Sequence, residues 1–531
     1  MNRNYKNQNS IKRRHRSNRR GSLLLIVLVT IVILSLSAYT FTALMQTEEE
    51  VARLETKQIQ SRYLVESGLE FARLYLSNSE ATIRAKGGRW NNQDLFGGVA
   101  VALDTSNPNL IGYFSIATSD LDDEGNPEGL RFGLIDESTK INLNVLPYNN
   151  AIDGNGREIL MALPGMTEEI ADAILDWLDP DDDPEEFGTE SAFYNGEDPP
   201  YNAKNGPMDS LDELLLVRGV TPQLLFGLDV NRNGILDPEE AASGDVSIAD
   251  ADMFLGWANY LTLYSTETNL TGEGLIRINV NSDDLEQLYD DLKASYNDEW
   301  ANFIIYARTA GAQDIVSEMP DSEVIEIKSA ALLAPDFETL TSERKFDSLM
   351  DLVGTYILLS PEDDVDFYAP SPVQLENMPF TMPNLMANLT TYDGITIPGR
   401  INIMQAPRRV LEAIPGLNED QIETIITRVQ SDRELTDPDG VDKNRKFETW
   451  LLVEGIVSLE QMKGLMKYIC TGGDVYRAEI VGYFSDGTAT SRAEVVVDTT
   501  VPIPRVLFWR DKSHLRGNFS VEALGTALDL E

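Results

Sequence analysis

A twelve-residue stretch at 229–240 places oxygen-bearing side chains at the spacing that a calcium ion needs. Asp229, Asn231 and Asn233 occupy loop positions 1, 3 and 5, and Gly234 stands at the sharp turn of position 6. Positions 7, 9 and 12 are filled by Ile235, which offers its carbonyl, and by Asp237 and Glu240. Because calcium takes about six to eight hard oxygen ligands around one point, this spacing predicts an EF-hand-like calcium site. The alternative is a surface turn rich in Asn, Asp and Gly.

A second group of acids lies upstream and is less specific. Its members are Asp176, Asp179, Asp181, Asp182, Asp183, Glu185, Glu186 and Glu190. A solvated acidic loop explains this group as well as a metal site does. Paired carboxylates also serve glycosidases, but no barrel or sandwich that would form a substrate cleft is evident here. The two histidines, His15 and His514, leave none in the interior for a catalytic triad or a zinc site. We therefore expect no enzymatic activity.

The amino-acid composition indicates which kinds of molecule the protein could bind. The chain has 531 residues and 42% hydrophobic content, which is enough for several cores of the usual size of about 100–200 residues each. It carries 87 Asp plus Glu against 43 Lys plus Arg, and eight of those bases precede Ser22. A body this acidic repels phosphate backbones and favours cations or basic surfaces, so we expect no nucleic acid ligand. Cys470 is the only cysteine, which excludes an intramolecular disulfide.

The N-terminal region predicts one long membrane-crossing helix. Bases cluster before Gly21, and Ser22 to Met45 carries no charged side chain. At about 1.5 Å per residue this stretch measures about 36 Å, enough for a hydrocarbon core of about 30 Å. A cleaved signal peptide has an apolar region of only about 7–15 residues. Apolar residues continue at helical spacing to near Ser77, and the basic flank places the N-terminus in the cytoplasm.

Three segments of the body begin alike, which indicates an internal repeat. They are Lys140–Asn144, Arg277–Asn281 and Arg400–Met404. The first and third copies continue alike through a Pro-Gly step, at 163–166 and 414–417, and through a Val-X-Gly step, at 216–220 and 452–456. Each glycine step between apolar-periodic stretches predicts a tight turn joining two short helices. The middle copy is weaker.

Alternating apolar stretches bracket these repeats. They cover 112–117 and 130–136 before the repeats, and 478–484 and 492–497 after them, with a turn at 485–488 and a short strand at 505–509. We predict an α+β protein: a pilin-like antiparallel sheet split by a helical insertion. The predicted segments are a leader (1–21), a transmembrane and amphipathic helix (22–80), the first part of the sheet (81–137), unit 1 (138–228), the calcium loop (229–240), a diverged middle repeat (241–395), unit 3 (396–470), and C-terminal strands and tail (471–531).

Two family resemblances follow from these features. The basic leader, the Arg20-Gly21 step and the apolar helix resemble the N-terminus of type IV pilins and pseudopilins, although Ile26 stands where most members have Glu. The glycine turns resemble helix-hairpin-helix modules. Together with the runs at 132–144, 176–190 and 201–214, these features resemble the K-type minor pseudopilin of the type II secretion system, and the resemblance covers most of the chain.

The resemblance carries specific implications. It implies that a prepilin peptidase cuts after Gly21, so that Ser22 becomes the first mature residue. It implies an inner-membrane protein, single-pass with its body in the periplasm, which then caps the pseudopilus tip with I-type and J-type minor pseudopilins. A subunit with nothing above it needs no Glu at mature position five. Calcium binding by the family's inserted domain makes Asp179, Asp181, Asp183 and Glu190 candidates for a second calcium site.

Two other functions share some of these features. A membrane-anchored helix-hairpin-helix DNA receptor of the competence type has similar Ile-Asn-X-Asn and Pro-Gly steps, and the net charge of −44 argues against it. A calcium-dependent surface adhesin would need the loop at 229–240 and only a plain membrane anchor.

Overall fold

The structure is a computed structural model of the chain. It describes residues 20–102, 111–121, 127–147, 153–235, 240, 255–309, 315–316, 326–330, 335–342, 344–359, 367–434, 443–515, 519–521 and 523–525. Residues 61–531 form one compact unit, and the residues before Ser61 form another.

The α-helices, in chain order, are α1 (Arg20–Leu76), α2 (Glu80–Ala85), α3 (Gln93–Phe96), α4 (Gly156–Met161), α5 (Glu168–Leu178), α6 (Ser191–Tyr194), α7 (Pro222–Phe226), α8 (Leu285–Ser295), α9 (Asp298–Arg308), α10 (Met378–Asn388), α11 (Arg408–Glu412), α12 (Glu419–Glu434), α13 (Trp450–Val453) and α14 (Leu459–Leu465). Short 3₁₀ helices cover Glu137–Thr139, Leu143–Val145, Leu211–Leu216, Trp257–Asn259, Leu349–Leu352 and Lys443–Lys446.

The strands are β1 (Val99–Ala102), β2 (Gly112–Leu121), β3 (Pro127–Phe132), β4 (Ile135–Asp136), β5 (Ile141–Asn142), β6 (Leu261–Thr262), β7 (Thr266–Thr268), β8 (Ile278–Asn279), β9 (Ile315–Val316), β10 (Glu326–Ile327), β11 (Tyr356–Leu359), β12 (Phe367–Pro370), β13 (Leu389–Thr390), β14 (Thr396–Pro398), β15 (Ile401–Asn402), β16 (Ile469–Cys470), β17 (Val475–Phe484), β18 (Thr490–Asp498) and β19 (Arg505–Asp511).

Helix α1 confirms the long helix predicted from residue 22 to near residue 77. It has 57 residues, and its N-terminal part is long and apolar enough to cross a membrane by length and composition. Apolar side chains from Leu23 to Met45 are exposed; Leu24, for example, is 76% exposed. Such a surface is costly in water and is expected for a helix that lies in lipid.

An antiparallel sheet forms from the two bracketing segments, as predicted. The strand order is β1-β2-β17-β18-β19, with β3 paired to β2 and β4 paired to β17. The C-terminal half of α1 packs on this sheet through Val65, Ala72 and Tyr75. Gly482 permits the close approach, because a Cβ there would collide with the backbone carbonyl of Ser61. The hairpin of β17 and β18 and the following strand β19 confirm the alternation seen in the sequence.

Each repeat in the insertion is closed by a short parallel strand pair. The Ile-Asn strand that opens each copy pairs with a strand at its end: β5 with β6, β8 with β13, and β15 with β16. The first unit therefore extends to Thr262 and includes the loop at 229–240, beyond the boundary predicted at 228. The middle copy, whose similarity in sequence is weak, is closed in the same way, and its α8 and α9 pack side by side.

The predicted glycine turns join consecutive helices. Gly165 and Gly416 have φ values of 68° and 90° between α4 and α5 and between α11 and α12. The later turns contain Gly219 and Gly455, with φ values of 83° and 72°. A left-handed backbone at these positions reverses the chain within a few residues and brings the two apolar faces together.

Candidate metal centres

The loop that begins at Asp229 folds around its own side-chain oxygens. Asp229 accepts backbone N–H groups through both carboxylate oxygens, from Asn233 at 3.0 Å and from Gly234 at 2.8 Å. The side-chain oxygens of Asn231 and Asn233 accept from the backbone two residues further on, at 2.9 and 2.7 Å. This turns the side chains of positions 1, 3 and 5 towards one side of the loop, as a calcium loop requires.

Glu240 closes the loop from its far end. Its Oε1 accepts the backbone N–H groups of Val230 and Asn231, at 3.0 and 3.2 Å. Position 12 of the pattern is thus brought beside position 1, although eleven residues separate them in sequence. The structure brings together Asp229, Asn231, Asn233 and Glu240, and the N–H of Ile235 donates to Asn233 Oδ1. Asp237, the predicted ligand at position 9, lies outside the described residues.

The oxygens of this loop are buried, which makes a cation favourable there. Asp229 is 4% exposed and Glu240 is 8% exposed. Burial, followed by the charges of Glu240 and Glu479, raises the pKa of Asp229 to about 6. Among the described residues no Lys or Arg forms an ion pair with Asp229 within 4.0 Å. A bound divalent cation would neutralise these carboxylates in place.

The second acidic group is assembled by the C-terminal end of α5. Asp179 follows α5 directly, and the chain then returns so that carboxylate oxygens of Asp179, Asp181 and Glu190 lie within 4.8 Å of one another. Asp183 does not belong to this group; its backbone N–H donates to Asp181 Oδ1 at 3.0 Å. Of the four residues implied by the family resemblance, the structure therefore brings three together.

Several oxygens at this site are buried without a hydrogen-bond partner. They are Oδ1 of Asp179 and both carboxylate oxygens of Glu190, a residue that is only 6% exposed. Burial, together with neighbouring carboxylates, raises the pKa of Asp179 and of Glu190 to about 7 each. Buried acceptors without donors are costly unless a cation or a proton satisfies them. The donor set, made only of oxygens, fits a hard cation such as calcium.

Two further carboxylates hold the backbone of this site in place. Asp176 is fully buried and accepts from the backbone N–H groups of Glu185, at 3.0 Å, and of Thr189. A side chain at Gly188 would collide with the Asp176 carboxylate, so glycine permits this approach. Asp172 accepts two hydrogen bonds of 2.6 Å from Arg157 and one from the backbone of Phe187. The acids of 176–190 thus divide into positioning residues and candidate ligands.

Sequence reasoning missed residues that support both sites. Asn205 donates to the backbone carbonyl of Asp181, has a φ of 47°, and keeps its own Oδ1 buried without a partner. Arg492, far away in strand β18, donates to the backbone carbonyls of Asn231 and Arg232, each at 2.6 Å. Asn205 lies in the 201–214 run that resembles the K-type family, whereas no sequence signal connects Arg492 to the loop.

Comparison with known proteins finds a family match for one part of the chain. Residues 139–229 match the family model described as type II secretion system (T2SS), protein K. A 60-residue stretch is 35% identical to the "Putative type II secretion system protein K" of Escherichia coli (strain K12); it covers 11% of this chain and 18% of that relative. The predicted resemblance to the K-type family is confirmed over this region, which contains all members of the second acidic group.

One solved structure is similar over much of its length. It is a chain of the GspK-GspI-GspJ complex from the enterotoxigenic Escherichia coli type 2 secretion system, with 11% identity, covering 88% of this chain and 98% of that chain. The TM-score of 0.31 is too low for the two folds to be compared element by element.

Proposed function

We propose that this protein is a K-type minor pseudopilin that caps the pseudopilus of a type II secretion system. The observation that carries the proposal is the family match at 139–229, because it falls within the helical insertion of an antiparallel sheet. The same chain begins with the long apolar helix α1, which suits a subunit that is stored in a membrane before assembly. The role is structural, and no reaction is assigned to it.

The assembly step follows from these parts. A prepilin peptidase removes the leader after Gly21, and Ser22 becomes the mature N-terminus in the inner membrane. Helix α1 then packs beside the helices of I-type and J-type minor pseudopilins, and leaves the lipid as the filament grows. The insertion of more than 300 residues would clash with a subunit stacked above, so this subunit belongs at the tip. With no subunit above it, Ile26 is tolerated where Glu is usual.

Calcium is the proposed cofactor of the insertion. Asp229, Asn231, Asn233, Ile235 and Glu240 would hold one ion, with Asp237 as a further ligand. Asp179, Asp181 and Glu190 would hold a second, with Asn205 beside them. The ions contribute no chemistry other than charge, because they offset repulsion between buried carboxylates that otherwise destabilise the two loops.

Mapping of the mature N-terminus tests the anchor. The full chain is produced in cells with and without the prepilin peptidase, and the N-terminus is identified by mass spectrometry. Ser22 in the first strain and Met1 in the second are expected. An uncut Met1 in both strains would favour a plain membrane anchor, as in a surface adhesin.

Co-purification and labelling test the tip position. The tagged full chain, extracted in detergent, is expected to co-purify with I-type and J-type pseudopilins. A Gly21→Leu variant, which blocks cleavage, should be absent from filaments. Immunogold labelling should then mark one end of each filament. Label spaced regularly along the shaft would show a stacking subunit and contradict the proposal.

A DNA receptor remains the second candidate to be tested, although the turns argue against it. In DNA-binding hairpin modules, backbone amides grip phosphate. Here the hydroxyl oxygens of Thr167 and Thr221 accept from amides of the following helices, at 3.4 and 3.2 Å, and Glu168 and Glu169 follow the first turn directly. Filter binding of duplex DNA at low salt is expected to show no retention. Micromolar affinity would favour the receptor.

A further inference from the structure

The insertion and the sheet have separate apolar cores. One core lies entirely in the insertion and contains, for example, Leu225 and Trp257. The other lies between the sheet and α1 and contains Phe114 and Ile480. Because no continuous apolar core joins the two parts among the described residues, their docking depends on the contacts between them.

Charged side chains carry much of that contact. Arg510 in β19 pairs with Asp212 of the insertion. Glu137, at the boundary, accepts from Arg477 in β17 at 2.7 and 2.8 Å and also from Thr262 of the insertion. A cavity of about 110 Å³ remains between the two parts, lined by residues that include Lys140 and Lys512. An interface of ion pairs around a cavity lacks the close packing of an apolar one, so it depends on how its charged groups are held in place.

The loop at 229–235 is one segment of the insertion that packs on the sheet. Ile235 packs against the core of the sheet, whereas Leu225, ten residues earlier, belongs to the core of the insertion. Gly234 has a φ of 75°, and a Cβ there would lie 2.7 Å from the Cβ of Ser119 in β2. The turn of the loop therefore rests directly on a strand.

Two buried cations of the sheet bind backbone carbonyls of this loop. Arg492 is fully buried and donates to the carbonyls of Asn231 and Arg232, while Lys512 donates to the Arg232 carbonyl at 3.2 Å. The loop must keep its closed shape for these carbonyls to point at Arg492. The same closed shape gathers Asp229 and Glu240, whose like charges oppose it.

We propose that calcium in this loop latches the helical insertion onto the sheet. The proposal rests on the calcium binding described under the proposed function. A cation between Asp229 and Glu240 removes the repulsion that opens the loop, and the closed loop presents its carbonyls to Arg492 and Lys512. By reciprocity, docking of the insertion tightens calcium binding by the same factor that calcium tightens docking.

Distance measurements between the two parts test the latch without altering any contact residue. Spin labels are attached to cysteines at Thr488, in the exposed β17–β18 turn, and at Glu197, on the exposed surface of the insertion. Cys470 is 1% exposed and is shielded from labelling. In the full chain in detergent, one narrow distance distribution is expected with calcium and a broad one after chelation. A control pair within the insertion, at Glu197 and Asp291, should not change.

Variants separate the latch from calcium binding itself. All variants also carry Asp179→Asn and Glu190→Gln, so that the loop at 229–240 is the remaining candidate calcium site. Glu240→Gln should abolish the calorimetric signal of calcium and keep the distribution broad. Arg492→Gln keeps every ligand, yet by reciprocity it should weaken calcium affinity roughly tenfold. The 197–488 distance distribution of Arg492→Gln should also stay broad at calcium concentrations at which the distribution of the parent is narrow.

The outcomes are distinguishable. Calcium binding that depends on Glu240 but leaves the 197–488 distribution unchanged would overturn the latch and keep the metal site. Absence of any Glu240-dependent binding would overturn both. The parent protein still tests the latch even if Arg492→Gln fails to fold, because the labelled pair alone reports docking.

Discussion

The side-chain amide of Asn144 forms a pair of hydrogen bonds with the backbone of Met208, donating to its carbonyl at 3.0 Å and accepting from its N–H at 2.8 Å. Asn281 repeats this arrangement with Phe346 in the middle unit, with both distances at 2.8 Å. An asparagine that satisfies both backbone groups of a distant residue fixes the return path of the chain. The two units therefore share this pair of asparagine–backbone hydrogen bonds despite their weak similarity in sequence.

Asn144→Ala should destabilise the first unit. It leaves the part-buried N–H and carbonyl of Met208 without partners, which costs roughly 1–3 kcal/mol. The melting temperature of the full chain in detergent should fall accordingly, and Asn281→Ala should act alike. Asn195→Ala, at an exposed position, is the control and should change little. An unchanged melting temperature in both asparagine variants would show that these hydrogen bonds do not contribute to stability.

Neutralising the second acidic group should remove one calcium ion. Asp179→Asn with Glu190→Gln keeps the shape of the site but lowers its negative charge, so calorimetry should find one calcium fewer than in the parent. The calcium-free variant should melt no lower than the calcium-free parent, since repulsion between buried carboxylates is relieved. Glu197→Gln, at an exposed acid, should leave the stoichiometry intact. Equal stoichiometry in all three proteins would refute this site.

Lys140 should give the body a pH-dependent stability. Burial, and next the charge of Arg477, lowers the pKa of Lys140 to about 7 in the folded chain, whereas the unfolded chain keeps that proton up to about pH 10.5. Between these values the unfolded state binds more protons, so stability rises as the pH increases from 7 to 10.5. Lys140→Met should flatten this rise in melting temperature. The same slope in the variant would assign the effect to another group.

Arg400 should be indispensable in the third unit. It is buried between Glu267 and Glu448 and donates to Glu448 at 2.8 Å; Glu448 is itself buried, and the side chain of Glu267 is 13% exposed. Arg400→Met leaves the carboxylates of Glu267 and Glu448 without this cation. The free energy of unfolding should therefore fall by about 3–5 kcal/mol. Arg408→Met removes an ion pair with the exposed Glu423. In the same melting assay it should lower the free energy of unfolding by less than about 1 kcal/mol. Equal losses would contradict the role of burial.

The elements with a strong period were predictable from the sequence. The helix α1 and the hairpin of β17 and β18 follow directly from apolar periodicity, and the glycine turns at 165 and 416 follow from their Pro-Gly steps. The turn that begins at Asp229 was also expected from the sequence, because its candidate ligands are close together in the chain; calcium binding there stays a prediction.

Contacts between distant segments were not predictable. The buried environment of Glu190 depends on how the chain returns after α5, and neither the exclusion of Asp183 nor the placement of Asn205 has a periodic signature. Arg492 meets the carbonyls of Asn231 and Arg232 across about 260 residues, through a backbone contact that any side chain at 231 or 232 would allow. Spacing rules do not reach over such separations.

The strand pairs that close the repeats bear on how such a chain could lengthen. Each unit begins and ends at neighbouring points, and the insertion as a whole does the same, since Asp136 pairs with Tyr476 where β4 meets β17. A segment with adjoining ends can be copied, enlarged or deleted while its surroundings keep their places. The insertion could thus change in size, one closed module at a time, while the sheet that holds its ends stays the same.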